Sequence, residues 1–239
     1  MTLPTGPDLF GVLDATWPSA RTRRIGPWTI RDGQGGGKRT SATTAEAAVL
    51  PDSIARAEME MSALGQPHLF MLRPGEEALD AELAARGYDV IDPVVLYAAP
   101  LGQLTDVKPP PVATFTIWPP LAIMADLWAA GGIGPARLAV MQRAIAPKTA
   151  ILARQADQPA GAGFVAIHDG IAMIHAIEVA PAHRRSGVGT NILRAAAHWA
   201  QAQGASYLAL AVTRANTGAN ALYSNLTMQV VGHYHYRIK

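Results

Sequence analysis

The sequence predicts a mixed α/β fold, and three observations carry that prediction. Short apolar runs of strand length alternate along the 239 residues with segments of helical period. Hydrophobic residues make up 49% and charged ones 16%, too apolar for a disordered chain and sufficient to bury a core. Finally, Lys108-Pro109-Pro110-Pro111 interrupts the pattern near the middle, because three prolines fit neither a helix interior nor a central strand. With domains of roughly 150 residues as the guide, the expected division is into residues 1–106 and 107–239.

Ahead of the prolines the pattern predicts a short helix over 9–15, strands over 28–31 and 39–44, and a helix over 52–64. A strand over 68–72, a helix over 76–86 and a strand over 90–98 follow, with Gly87 suited to close the helix. Beyond the prolines come a strand over 113–118, helices over 121–130 and 135–146, and strands over 150–155, 163–168 and 172–179. The turns are Asp157-Gln158-Pro159 and Asp169-Gly170. A helix over 189–203, a strand over 207–212, a short helix over 217–225 and a strand over 229–237 end the chain. This order predicts an antiparallel meander followed by strand–helix–strand units with parallel pairing. Each half ends on helix, apolar strand, shorter helix and closing strand. Duplication would explain that order, and so would two unrelated α/β segments.

Composition narrows the function. Lys and Arg number 20 against 18 Asp and Glu, so a pI near 9.0 reflects a net charge of only +2, and no nucleic-acid partner is expected. The absence of cysteine removes disulfides, thiolate nucleophiles and Cys-based zinc sites. The seven histidines show no HExxH spacing, so no metal is expected. No run of about 18 uncharged apolar residues suggests a membrane span, and residues 1–7 lack the pattern of a signal peptide. The expectation is a cytoplasmic chain. The oligomeric state, monomer or homodimer, is left open by the sequence.

The most informative stretch runs Ile177-Glu178-Val179-Ala180-Pro181-Ala182-His183-Arg184-Arg185-Ser186-Gly187-Val188-Gly189-Thr190. An apolar strand leads into a basic, glycine-containing loop that opens a helix. Such a loop turns backbone N–H groups and the positive end of the helix dipole toward one point, where a pyrophosphate is stabilised. Gly187 and Gly189 allow close backbone approach, and Arg184 and Arg185 add charge at the rim.

Here the sequence resembles the GNAT acyl-CoA N-acyltransferases. Arg184-Arg185-Ser186-Gly187-Val188-Gly189 after Val179-Ala180-Pro181 matches the family's Arg/Gln-x-x-Gly-x-Gly/Ala loop. Asn216-Thr217-Gly218-Ala219-Asn220-Ala221-Leu222-Tyr223 is similar to its Asn-x-x-Ala-x-x-Leu-Tyr. The family's Leu-Gly-Phe at the end of that helix is replaced by Leu226-Thr227-Met228, which we read as a packing variant. The resemblance implies a GNAT fold, a central mixed sheet flanked by helices, over roughly residues 115–239. It also implies acetyl-CoA as co-substrate, bound by Ile177, Glu178, Val179, Arg184, Arg185, Ser186, Gly187, Val188, Gly189, Thr190, Asn216, Ala219 and Tyr223.

The implied reaction is direct transfer of an acetyl group to a primary amine of a small molecule or peptide. It needs a polarised carbonyl, a proton acceptor for the amine and a proton donor for the thiolate. The resemblance places the carbonyl contact at the backbone of Glu178 and Val179 and the proton donor at Tyr223. The acceptor is open. Period-two alternation puts Met173, His175 and Ile177 on one face, and His175, with an ordinary pKa of about 6.5, is a candidate base or water relay. Glu178 is the rival, although it points away from that face unless a bulge re-aims it. A satisfied strand histidine, with solvent taking the proton, is the third reading. The acid that some relatives carry on the next strand is absent from Leu210-Ala211-Val212. That absence leaves a non-catalytic acyl-CoA sensor as the alternative function.

Two stretches remain. His233-Tyr234-His235-Tyr236 alternates histidine and tyrosine, so one pair either contacts substrate or forms an aromatic sheet face. Gly33-Gln34-Gly35-Gly36-Gly37-Lys38-Arg39-Thr40 is close to a phosphate loop but lacks its first glycine and its Ser/Thr, so a hairpin between the strands over 28–31 and 39–44 is expected. The run 79–88 resembles the family's second helix, with Gly87-Tyr88 after it. The first 106 residues are therefore expected to form a degenerate, supporting GNAT-like lobe in a tandem arrangement.

Overall fold

Pro7 in the first turn and a reciprocal Thr5–Asp8 capping box start helix α1 (Gly6–Thr16). A hairpin of β1 (Arg21–Ile25) and β2 (Trp28–Asp32), the one-turn helix α2 (Lys38–Ser41) and β3 (Thr44–Ala45) follow. Next are α3 (Pro51–Ala63), β4 (Leu69–Leu72), α4 (Glu77–Ala85), β5 (Asp89–Pro100) and the turn α5 (Leu101–Leu104). Beyond the prolines run β6 (Thr114–Ile117), α6 (Ala122–Ala130), α7 (Pro135–Arg143) and the meander β7 (Lys148–Gln155), β8 (Gln158–His168) and β9 (Ile171–Val179). A 3-10 turn (Pro181–His183), α8 (Val188–Ala202), β10 (Tyr207–Thr213), α9 (Thr217–Asn225) and β11 (Gln229–Ile238) complete the chain. This is a computed structural model, and it describes residues 2–145 and 147–239.

The eight-stranded sheet has the order β4-β11-β5-β10-β9-β8-β7-β6, antiparallel except between β9 and β10. Helix α8 places Val188, Ile192, Leu193, Ala196, Ala197 and Ala200 at helical spacing against one face, where they join Ile174, Val165 and Leu208 in the largest core cluster. The opposite face is covered by α1, through Leu9, Val12 and Leu13, and by α6 and α7, through Met124, Trp128, Val140 and Met141. A separate core of Trp28, Ile54, Met61, Phe70 and Leu83 joins the three-stranded sheet to α3 and α4.

The two halves interlock. Strand β11 lies between β4 and β5, and β5 lies between β11 and β10, so the closing strand of each half is inserted beside a strand of the other. The rhyme seen in the sequence is thus also a rhyme in space: α4 and β5 stand to β4 as α9 and β11 stand to β10. Even the helix exits agree. Gly87 has φ 81° after α4, and Thr227 has φ 56° after α9. Replacement of the glycine therefore leaves the left-handed exit in place, and Met228, 4% exposed, plugs the core as expected.

Two expectations fail in the first half. Of the strand expected over 39–44 only Thr44 belongs to one, pairing with Thr29 as part of β3. Residues 38–41 form a helical turn instead, in which the Thr40 and Ser41 hydroxyls bond back to the Gly37 carbonyl at 2.9 and 3.1 Å and the Ala42 N–H reaches the Lys38 carbonyl at 2.8 Å. The hairpin is formed instead by β1 and β2, joined by the two-residue loop Gly26-Pro27. Strand β1 was not legible because four of its five residues are exposed and none of those four is apolar. Helix α7 ends at Arg143, short of the expected 146, and Ala146 lies outside the described residues.

A β-branched residue in the left-handed region is strained, at about 1–2 kcal/mol. Thr227 also accepts through its Oγ1 and its carbonyl from the amide of the half-buried Gln103, which offsets part of that cost. We expect Thr227→Gly to raise the unfolding free energy by about 0.5–1 kcal/mol in urea titrations; a loss of stability would show that the hydroxyl contact outweighs the strain.

Candidate functional site

The site begins with a defect in β9. Ala176 takes φ 51°, and the pairing with β8 shifts by one residue beyond Phe164↔His175. The carbonyl of Ala176 accepts from the Trp128 indole at 2.8 Å, which holds the bulge to α6. Before it, Met173 and His175 point toward α1. After it, Ile177 and Val179 pack into the core under α8. The extra residue therefore turns Glu178 to the face that His175 occupies.

The same region opens the sheet. Strand β10 pairs with β9 only from Tyr207↔Ile171 to Ala209↔Met173, and beyond that point the two strands part. β10 is held on its other edge by β5 along its whole length, from Tyr207↔Pro100 to Thr213↔Val94. β9 is held by β8 through Gly161↔Val179. The wedge thus leaves one edge of β9, residues 174–179, with no strand beside it, and its backbone groups face the opening.

A cleft of about 550 Å³ extends from this wedge, lined by Ile177, Glu178 and Val179, by the loop to α8 and by α9. Gly187 is the N-cap of α8 with φ 87°, and Arg185 shares the left-handed region with φ 65°. These conformations direct the amides at the helix start into the cleft, where they lack intrahelical acceptors. Gly189 serves a different purpose from the one expected: a Cβ there would come within 2.9 Å of Leu222, so it permits α9 to approach α8. Arg184 also departs from expectation, for it turns back to the Val179 carbonyl at 3.1 Å and to Glu178 at 3.3 Å. Arg185 remains at the rim, and Ser186 bonds to the His183 carbonyl at 2.6 Å inside the loop. Twelve of the thirteen residues assigned to the co-substrate line the cleft, Ser186 being the exception.

Tyr223 lies at the inner end, 6% exposed. Burial, with the neighbouring Tyr97 in second place, pushes its hydroxyl up to about 12, so it holds its proton at neutral pH. Tyr97 comes from β5, across the junction of the two halves. Its ring packs 5.6 Å from that of Tyr223, and its hydroxyl donates to Asn220 at 3.1 Å. Asn220 in turn donates to the Thr213 and Asn216 carbonyls at 3.0 and 2.7 Å, and Asn216 caps α9 through the Ala219 N–H at 3.1 Å. Sequence reasoning missed Tyr97, because no local pattern joins a strand of the first half to a helix of the second.

His175 does not reach this cleft. It is 3% exposed, packed at a 32° tilt against Trp17 with ring centres 5.0 Å apart, and both ring nitrogens are engaged. Arg39, which only donates, bonds to Nδ1 at 3.2 Å, so Nε2 carries the proton and donates to the Thr16 hydroxyl at 2.8 Å. Thr16 passes its own proton to the Val12 carbonyl at 2.6 Å. No lone pair is left to receive a proton. Burial, and then the charge of Arg39, hold the imidazole well below its ordinary pKa. Beside His175 lies a second, smaller cavity of about 230 Å³, lined in part by Ala176, Thr213, Arg39, Tyr234 and Tyr236.

No group of three or more His, Cys, Asp or Glu among the described residues is arranged to hold a metal ion. No helix among them is long and apolar enough to cross a membrane.

Comparison with known proteins agrees with this geometry. Residues 123–227 match the model of the Acetyltransferase (GNAT) family. Over 236 residues the chain is 27% identical to the uncharacterized N-acetyltransferase YobR of Bacillus subtilis (strain 168), covering 94% of this chain and 95% of that protein. Among solved structures, the GCN5-related N-acetyltransferase from Kribbella flavida is similar with a TM-score of 0.68 at 19% identity, covering 96% of this chain and 95% of that one. A tandem GNAT protein from the clavulanic acid biosynthesis pathway is similar with a TM-score of 0.64 at 13% identity, covering 97% and 87%.

The environment of His175 sets a sign for stability against pH. Its folded pKa lies below the unfolded one, so the unfolded chain binds the extra proton first, and stability falls as pH drops below about 6.5. We expect His175→Gln, whose amide can accept from Arg39 and donate to Thr16, to flatten the loss of unfolding free energy between about pH 6.5 and 5 in urea titrations. An unchanged slope would place the acid sensitivity elsewhere.

Proposed function

We propose that the chain is a GNAT acetyltransferase that transfers an acetyl group from acetyl-CoA to a primary amine in the cytoplasm. One observation carries the proposal: the wedge between β9 and β10 opens directly beside the amide-lined start of α8. The cleft fits the co-substrate on this structure's own terms. Unpaired helix-start amides and the free Arg185 suit the pyrophosphate, and the uncovered edge of β9 suits an extended chain bearing amides of its own.

Bound acetyl-CoA supplies an activated acetyl thioester. In the transfer a C–N bond forms and a C–S bond breaks, one proton leaves the amine, and one reaches the sulfur. The backbone N–H groups on the free edge of β9, near Ile177 and Glu178, donate to the carbonyl oxygen where negative charge develops. Tyr223 donates the proton to sulfur from its hydroxyl oxygen, a role favoured by the burial that keeps it neutral. Glu178 receives the amine proton, directly or through water, a role supported by the bulge that turns it to the face of His175. Arg184 pairs with that carboxylate at 3.3 Å, and Gly131, where a Cβ would collide with it, leaves it room. His175 is assigned no proton transfer; it positions Arg39.

Residues 1–106 act as the supporting lobe and 107–239 as the lobe that binds acetyl-CoA. The support is specific: the first lobe lends β5 to the edge of β10 and Tyr97 to the back of Tyr223.

Two variants test the assignment in a thiol-release assay and by calorimetry. Tyr223→Phe should bind acetyl-CoA as wild type does and lower kcat by about a hundredfold or more; wild-type turnover across the pH range would remove Tyr223 as the acid. Gly187→Glu, which puts a carboxylate and a strained backbone at the anion site, should abolish acetyl-CoA binding. Wild-type protein that binds acetyl-CoA but acetylates no amine would be a sensor.

A further inference from the structure

Of the cations lining the smaller cavity, Arg39 stands in a setting that protein chemistry does not favour without an anion. Its partners are all uncharged, a neutral imidazole at 3.2 Å and, close by, the Tyr234 and Tyr236 hydroxyls, and among the described residues no carboxylate lies within ion-pair distance. The contrast with Arg31 is direct, since that buried guanidinium has Asp14 at 2.7 Å, the Ala42 carbonyl at 3.0 Å and Thr44 at 2.9 Å. A second observation is independent of the first. The hydroxyl of Tyr234, 3% exposed, lines the same cavity beside Arg39 and has no hydrogen-bond partner.

The charges around the cavity do not balance. Lys38, Arg39 and Arg137 face it with one carboxylate, Asp92, and Asp92 is already paired with Lys38 at 2.8 Å. The near-miss phosphate loop explains how Arg39 gets there. A Cβ on Gly36 would meet Val140 at 2.6 Å and Thr40 at 2.7 Å, so the glycines let the loop press onto α7 and aim α2 at the cavity. Ala176 and Thr213 form the side nearest the wedge, and Ala176 is the immediate neighbour of Ile177 in the larger cleft.

We propose that this cavity is the acceptor subsite and that it selects a small amine bearing a carboxylate, held by the fork of Arg39 and the hydroxyl of Tyr234. Calling the ligand an acceptor rests on the acetyl-transfer reading; the carboxylate site itself does not. Planar, paired N–H donors match a carboxylate edge, and the Tyr234 hydroxyl supplies a further donor. At about 230 Å³ the cavity is smaller than sites for drug-sized ligands, which favours a free amino acid over a peptide or a polyamine.

The test uses matched pairs that differ by the carboxylate: L-alanine and ethylamine, L-phenylalanine and phenethylamine, L-histidine and histamine, L-lysine and cadaverine. Each is titrated calorimetrically with and without CoA, and each is offered in the thiol-release assay with acetyl-CoA. At least one amino acid should bind about ten- to a hundredfold more tightly than its decarboxylated partner. Arg39→Leu should abolish the preference, Arg39→Lys should keep a fraction of it, and both should bind acetyl-CoA as wild type does, which certifies their fold. Equal or better binding of the plain amines would overturn the proposal. So would a preference that survives Arg39→Leu, stronger binding of an aminoalkyl phosphonate than of its carboxylate counterpart, or no binding of any amino acid. Failure of the acetyl-transfer reading is separately visible, as a lack of acetyl-CoA binding, while the amino-acid titrations without CoA report on Arg39 alone.

Discussion

The divergence of β9 from β10 is the constraint on which the rest of the molecule depends. Two parallel strands in one sheet normally share a full ladder of hydrogen bonds, and here the ladder stops after Ala209↔Met173. The exposed edge is tolerable because each strand is secured on its far side, β9 by β8 and β10 by β5, and because the Ala176 carbonyl is satisfied by Trp128. One extra residue in β9 then does several things together. It ends the ladder, moves Glu178 to the face that His175 occupies, and keeps Ile177 and Val179 packed under α8.

Holding β10 open requires the first half of the chain. An isolated second half would lose β5 from between β10 and β11, and with it seven paired positions along β10 and the ring behind Tyr223. The exchange of closing strands therefore makes the supporting half part of the site's frame, although it carries no phosphate loop of its own. It also fixes the direction of approach. α1, α2 and the Gly33–Gly37 loop sit on the side of the sheet away from α8, so the larger cleft and the smaller cavity meet at the bulge from opposite faces.

His175 and Arg39 show how burial decides roles that residue type leaves open. Histidine on a strand near the reacting end looks like a base, but a chain of donors from Arg39 through His175 and Thr16 to Val12 uses up its lone pair. A neutral, desolvated imidazole cannot neutralise a guanidinium, so the positive charge stays available to whatever enters the cavity. Tyr234 and Tyr236, read from alternation as a shared face, are the buried aromatic wall of that cavity.

What the sequence by itself determined is everything written within a few consecutive residues. The helix α9 was legible to the residue, as was the strand-to-loop-to-helix unit around Gly187, because backbone conformation and dipole act over one or two turns. Strand β1 escaped because its exposed polar residues carry no alternation, and α2 escaped because hydroxyl bonds back to Gly37 outweigh the strand propensity of Thr40. Only the tertiary structure decided that Tyr97 backs Tyr223, that Glu178 shares the face of His175, and that Arg39 stands 136 residues from the histidine it touches. Those contacts depend on a bulge and a strand exchange. Both are set by which edges must be paired and which side chains buried across the whole sheet, and no stretch of local sequence encodes that balance.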